Sequence, residues 1–134
     1  AKESDVPRFL ERDATVTLAD QLREDTKGPL VLVNTFVVPP EDAGALLNAW
    51  SRDAAFMKRQ PGFISTQLHR GTAGSGTFLN YAVWQSAAHF REAFANPEFR
   101  AQLGAYPDSA TVSPHLLRKA EVPCICVARA LEVS

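Results

Sequence analysis

The sequence is short of the features that mark several large functional classes. No apolar run approaches the ~20 residues needed to span a bilayer, so no membrane role is expected. Neither sign of charge dominates: 14 Lys and Arg stand against 15 Asp and Glu. No basic patch breaks that balance, so nothing steers the chain toward nucleic acid or anionic lipid. The opening stretch, residues 1–12, is charged and lacks the apolar centre of a secretory signal. Cysteine is scarce, with only Cys124 and Cys126. Two residues apart on a strand, they point to one side, are poorly placed to bridge, and have no second ligand pair for a metal. Buried, reduced thiols in a cytoplasmic protein are the expectation. The chain has no G-x-G-x-x-G and no P-loop to cradle a nucleotide cofactor, and no Cys/His cluster with zinc spacing. It also has no Ser-His-Asp order and no carboxylate pair on the polar strand faces described below. An enzyme built on it must work with amides, an imidazole, an arginine and aromatics.

What is present reads as one domain of 134 residues, long enough to bury a sizeable core. Residues 1–29 form an N-terminal extension in which Thr15 or Thr17 can cap a short helix through Leu18, Ala19 and Leu22, stopped by Gly28-Pro29. So short an apolar stripe needs support from the main domain or a second subunit. The domain proper, residues 30–134, opens with a β-branched run from Leu30 to Val38 that predicts a strand. A helix follows from Pro40-Glu41-Asp42, with Ala43, Leu46, Leu47, Trp50, Ala54 and Met57 on one stripe, and ends before Pro61-Gly62. Phe63–Arg70 and Thr77–Trp84 predict two strands joined by the glycine-rich 71–76 loop. Ser86 can cap a helix carrying Ala87, Phe90 and Phe94, restarted at Asn96-Pro97-Glu98 and continued by Phe99, Leu103 and Tyr106. Residues 107–121 read as a loop and Val122–Leu131 as the last strand. The order β-α-β-β-α-β after an N-terminal helix is the split βαβ, ferredoxin-like α+β arrangement with an antiparallel sheet.

Such a sheet has helices on one face only. The other face would carry Val31, Val33, Val37, Ile64, Leu68, Leu79, Tyr81 and Val83, too apolar to stay wet. Packing against the same face of a second copy would cover it, giving a homodimer, a dimeric α+β barrel. On the helix-covered face the period of two groups Leu30, Leu32, Asn34, Phe36 and Val38, then Phe78, Asn80, Ala82 and Trp84, then Phe63, Ser65, Gln67 and His69. Asn34 and Asn80 are polar where the pattern wants apolar residues. Together with His69 and Trp84 they would line a cleft with convergent polar groups, the default form of a small-molecule site. Each has an ordinary structural reading. A strand Asn can satisfy a loop carbonyl, a lone Trp is usually core, His69 beside a hairpin can be half exposed, and Arg100 suits a solvated helix face. His89 and His115 read as surface or loop residues without a role. The coincidence of several such residues in one cleft is what points to function.

Gln60-Pro61-Gly62-Phe63, His69, the run Asn80-Tyr81-Ala82-Val83-Trp84-Gln85-Ser86, and Phe90 with Phe94 resemble the antibiotic biosynthesis monooxygenase family over about residues 30–131. Within it the chain is most similar to the cofactor-free anthrone monooxygenases of aromatic polyketide pathways. The resemblance implies that His69, Asn80, Trp84 and Arg100 line the active site, with Asn34 at a first-strand position that matters in some members. It implies no cofactor, with O₂ as co-substrate. Phe90 departs from members that carry a Tyr six residues after the Trp, which removes a phenolic donor. Haem-degrading relatives need an axial His on the second helix; residues 91–103 contain none.

The implied chemistry is oxidation of an anthrone-like polycyclic aromatic to a quinone. Asn80 and Asn34 would donate to the developing oxyanion, Trp84 would pack on the rings, His69 would assist proton removal and Arg100 would hold an anionic substituent. Phe36, Phe78, Phe90 and Phe94 would bind the substrate and exclude water. Three other readings share the scaffold: a polyketide cyclase, a haem-binding or haem-degrading protein, and a non-catalytic dimer that binds a small molecule.

Overall fold

A computed structural model of the chain describes residues 7–24 and 26–128. The elements are β1 (Arg8–Phe9), α1 (Leu18–Arg23), β2 (Leu30–Val37), α2 (Ala43–Met57), β3 (Phe63–Arg70), β4 (Thr77–Trp84), α3 (Ala87–Ala95), α4 (Pro97–Gln102) and β5 (Thr111–Leu117). They form one open five-stranded sheet in the order β1-β5-β2-β4-β3, with β2 antiparallel to both β4 and β5 and the short β1 parallel to β5. This is the ferredoxin-like α+β arrangement, extended by β1 and α1.

Local chemistry sets the helix starts. Thr17 and Asp20 form a reciprocal capping box on α1, Ser86 Oγ accepts from the His89 N–H on α3, and Asn96 caps α4 ahead of Pro97. Gly62 turns the chain from α2 into β3 at φ +85°; a Cβ there would lie 2.2 Å from Cγ of His89, so only glycine fits.

The last strand differs from the sequence expectation. It is Thr111–Leu117, inside the stretch read as a loop. The Val122–Cys126 segment is a tight turn closed by one bridge, and residues 129–131 of the expected strand lie outside the described residues. The misreading has a physical cause: Pro114 interrupts the true strand, and Pro seldom sits inside a sheet. Here it is tolerated. Val112 accepts from the Leu10 N–H, and Leu116 bonds the Gln21 side chain through both its N–H and its carbonyl, so these residues point outward from β2. By the period of two Pro114 points outward as well, and its missing N–H leaves no gap in the ladder to β2. Cys124 and Cys126 are accordingly exposed free thiols on a turn rather than buried on a strand. His115 lies on β5 and is buried, where the sequence suggested a loop or surface position.

The core divides in two. One cluster gathers Phe36, Phe56, Phe78, Phe99, Tyr106 and Val112; the other gathers Leu32, Ala82, Trp84, Phe90 and Leu116, with Leu18 of α1 added from the extension. On each inner strand one residue separates the two: Asn34 between Leu32 and Phe36, Asn80 between Ala82 and Phe78, Pro114 between Leu116 and Val112. These three lie side by side, since Asn34 is the register partner of both Asn80 and Pro114. The two amides interrupt the apolar face between the clusters, with buried Pro114 beside them, and the gap above that row is the candidate site.

Candidate active site

The gap is a hollow between the sheet and α2, α3 and α4, with a cavity volume of about 60 Å³ and part of it open to solvent. Its floor carries the two amides and Pro114. Asn34 Oδ1 accepts from the Ser113 N–H at 3.0 Å, and Asn80 Oδ1 accepts from the Thr66 hydroxyl. Each amide is thus held by its carbonyl oxygen, and each Nδ2 has no hydrogen-bond partner among the described residues. Two N–H₂ groups on directly paired strand positions face one hollow, an arrangement suited to an oxygen that carries negative charge.

The walls are aromatic. Trp84 is 1 % exposed and meets Phe63 and Phe90 edge-on, with ring centroids 5.5 and 5.7 Å away. Phe90, Phe94 and Phe99 follow at 5.3 Å steps, and Trp50, Met57 and Phe36 close the remaining sides. Slots lined by ring faces and edges suit a flat apolar ligand.

One charged group enters this surface. Asp53 of α2 lines the hollow; its Oδ2 accepts from the Tyr106 hydroxyl at 2.7 Å, and its Oδ1 is buried with no partner among the described residues. Burial pushes its carboxyl up to about 6, opposed by the Tyr106 hydrogen bond. Burial and the neighbouring carboxylate push the Tyr106 phenol well above its ordinary range. Among the lining residues Asp53 is the only one that titrates.

Of the residues singled out in the sequence, Asn34, Asn80, Trp84, Phe36, Phe90 and Phe94 come together here. Three do not. His69 is exposed on the opposite face of the sheet, paired with Leu79, its Nδ1 3.4 Å from the Leu79 carbonyl. The cause is a β-bulge between Phe63 and Ser65, which shifts the alternation by one residue. Beyond it Thr66 and Leu68 face the helices, while Ser65, Gln67 and His69 join the uncovered face. Arg100 is exposed outside the hollow, its guanidinium 4.8 Å above the Phe94 ring. Phe78 is buried in the core cluster, away from the lining.

Asp53 and Thr66 were missed. The bulge that brings Thr66 inward leaves no plain sequence signal. Asp53 had one: it stands three residues after Trp50 and four before Met57, on the apolar stripe of α2.

The model of the antibiotic biosynthesis monooxygenase family matches residues 29–103, more than half of the chain. The chain belongs to the antibiotic biosynthesis monooxygenase family. It is therefore related to oxidoreductases. Over 70 residues, 52% of this chain, it is 37% identical to deoxynogalonate monooxygenase of Streptomyces nogalater, and the match spans only 58% of that relative. The crystal structure of SnoaB, a cofactor-independent oxygenase from Streptomyces nogalater, superposes with TM-score 0.65 and 29% identity, over 72% of this chain and 98% of that one. A candidate monooxygenase from Shewanella loihica PV-4 superposes with TM-score 0.62 and 32% identity, over 74% of this chain and all of that one. SnoaB's independence of cofactors agrees with the expectation that this family member uses none. Among the described residues no group of three or more His, Cys, Asp or Glu could hold a metal ion, and no helix is long and apolar enough to cross a membrane.

Proposed function

We propose that this protein is a cofactor-independent oxygenase that converts an acidic methylene of a flat, anthrone-like polyketide intermediate to a carbonyl with O₂. The net reaction takes a CH₂ group and O₂ to C=O and water. Four electrons leave the substrate; one oxygen atom enters the product and the other leaves as water. Loss of a C–H proton gives a carbanion delocalised onto the ring carbonyl oxygen, and that electron-rich species reduces O₂ directly. The protein must hold the ring system, stabilise the oxyanion and keep bulk water out.

The observation that carries this reading is the paired amides: Asn34 and Asn80 are register partners whose carbonyl oxygens are tied off, leaving both Nδ2 groups to donate. A donor to a developing oxyanion in a dry site contributes ~10²–10³ in rate. Trp84, Phe90 and Phe94 would clasp the rings. A second copy packed on the uncovered face, where Val37, Tyr81 and Leu117 are each more than 40 % exposed, would complete a homodimer. The exposed free thiols suit a reducing compartment, the cytoplasm.

O₂ uptake with dithranol as substrate tests the reading. Asn80→Ala is expected to lower the rate by about 10²-fold, and Trp84→Phe to raise KM. Full rates in both variants, with the fold intact, would refute it. Turnover without O₂ would indicate a cyclase instead.

A further inference from the structure

We infer that Asp53 is the general base of this site, removing the C–H proton of a substrate whose carbonyl oxygen lies on Asn34 and Asn80. The inference rests on the proposed oxygenase reading and adds the group that reading lacks.

A carbanion mechanism needs a proton acceptor beside the reacting carbon. The imidazole suggested by the sequence stands on the wrong face of the sheet. Of the residues lining the hollow only Asp53 can take up a proton near neutrality. It enters from α2, across from the strand row that carries the amides. Its carboxylate is oriented: Oδ2 is fixed by Tyr106, whose ring stacks on Phe36 at 5.7 Å and so cannot swing away. Oδ1 has no partner among the described residues. A buried acceptor without a donor is unfavourable by about 1–3 kcal/mol, and this one belongs to a side chain that lines the hollow. Asn34, Thr66 and Asn80, the other polar lining residues, carry no charge, and Tyr106 is the one titratable group bonded to Asp53. With its carboxyl near 6, Asp53 is ionised at neutral pH yet basic enough to accept a proton.

The step balances. The substrate C–H bond breaks, an O–H bond forms on the Asp53 carboxylate, and the electron pair passes to the ring carbonyl oxygen, where the two amides receive it. After O₂ adds at carbon, Asp53 returns the proton to the peroxide anion. The carboxylate then removes the second C–H proton as the O–O bond breaks. Hydroxide leaves, combines with that proton and becomes water, and the carbonyl is formed.

The test is the pH dependence of O₂ uptake with dithranol between pH 5 and 8.5, corrected for uncatalysed oxidation, in the wild type, Asp53→Asn, Tyr106→Phe and Asn80→Ala. The wild-type kcat/KM should fall about tenfold per pH unit below pH 6. Asp53→Asn keeps an acceptor for the Tyr106 hydroxyl and should lower kcat by about 10²–10⁴-fold, abolish that acid limb and leave KM within about threefold. Tyr106→Phe removes the hydrogen bond that lowers the Asp53 carboxyl, so the limb should move to higher pH while the plateau stays high. A merely structural Asp53 would move no limb. Should Asp53→Asn fail to fold, Tyr106→Phe decides alone: an unmoved limb overturns the inference. Wild-type kcat in Asp53→Asn with a crippled Asn80→Ala would overturn the base and leave the oxygenase standing. Wild-type rates in every variant would overturn both.

Discussion

The Asp53 carboxyl carries a stability cost that can be measured without any substrate. Its carboxyl is pushed from 3.8 up to about 6, chiefly by burial. Two pH units at about 1.4 kcal/mol each amount to about 3 kcal/mol. The sign follows from proton uptake. Because the folded value is raised, the folded state holds a proton between about pH 4 and pH 6 that the unfolded chain has already released. Stability from this group is therefore full below pH 4, is lost as pH rises to 6, and is flat above. Asp53→Asn keeps the shape and the Tyr106 hydrogen bond and removes the charge. The variant should be more stable than the wild type by up to about 3 kcal/mol at pH 7, a shift of about 1–3 M in the urea midpoint, with the difference vanishing near pH 4. Taking the difference between the two proteins cancels Asp13 and Asp20, whose carboxyls backbone hydrogen bonds hold low. Urea titrations followed by Trp fluorescence at pH 4, 5, 6 and 7 measure it. A difference independent of pH, or a variant less stable at pH 7, would refute the reasoning. The expected gain in stability joined to a loss of activity is the signature of a residue kept for function.

Three other substitutions probe the framework. His69→Ala should leave dithranol-dependent O₂ uptake within about twofold of wild type, because the side chain is exposed on the far face of the sheet; a hundredfold loss would place it back in the site. Thr66→Val keeps the side-chain shape but removes the hydroxyl that orients Asn80; kcat should fall roughly tenfold, and thermal unfolding should report a loss of about 1 kcal/mol from the unmet Asn80 Oδ1. Gly62→Ala forces a Cβ into His89 at a positive φ, and thermal unfolding should report a loss of about 1–3 kcal/mol.

Much of the architecture was legible because it rests on local periodicity. The stripe from Ala43 to Met57, the strands expected at Leu30–Val38 and Thr77–Trp84, and the caps at Ser86 and Asn96 are each decided within a few residues, and the structure repeats them, ending the first strand at Val37 and choosing Thr17 over Thr15 as the cap of α1. The run from Asn80 to Ser86 was legible as a resemblance to family motifs, which are contiguous in the chain. The failures have equally specific causes. Pro114 hid β5, since its tolerance depends on which edge its nitrogen faces, and only the neighbouring Leu10 and Gln21 contacts reveal that. The bulge near Ile64 exchanged His69 for Thr66, because one extra residue inverts every side chain after it.

The sequence by itself therefore determined most of the order of elements and brought forward two amides and an indole of the candidate site, because strand and helix periods are properties of the chain alone, while its motifs carried the family resemblance. Tertiary structure decided which groups meet. Pairing Asn34 with Asn80 and Pro114 set the two amides side by side between the two apolar clusters. Folding α2 over the gap then turned Asp53 from one acid among 15 Asp and Glu into a buried carboxylate held by Tyr106. Burial, and the desolvation that raises its carboxyl, exist only once distant segments have closed around it.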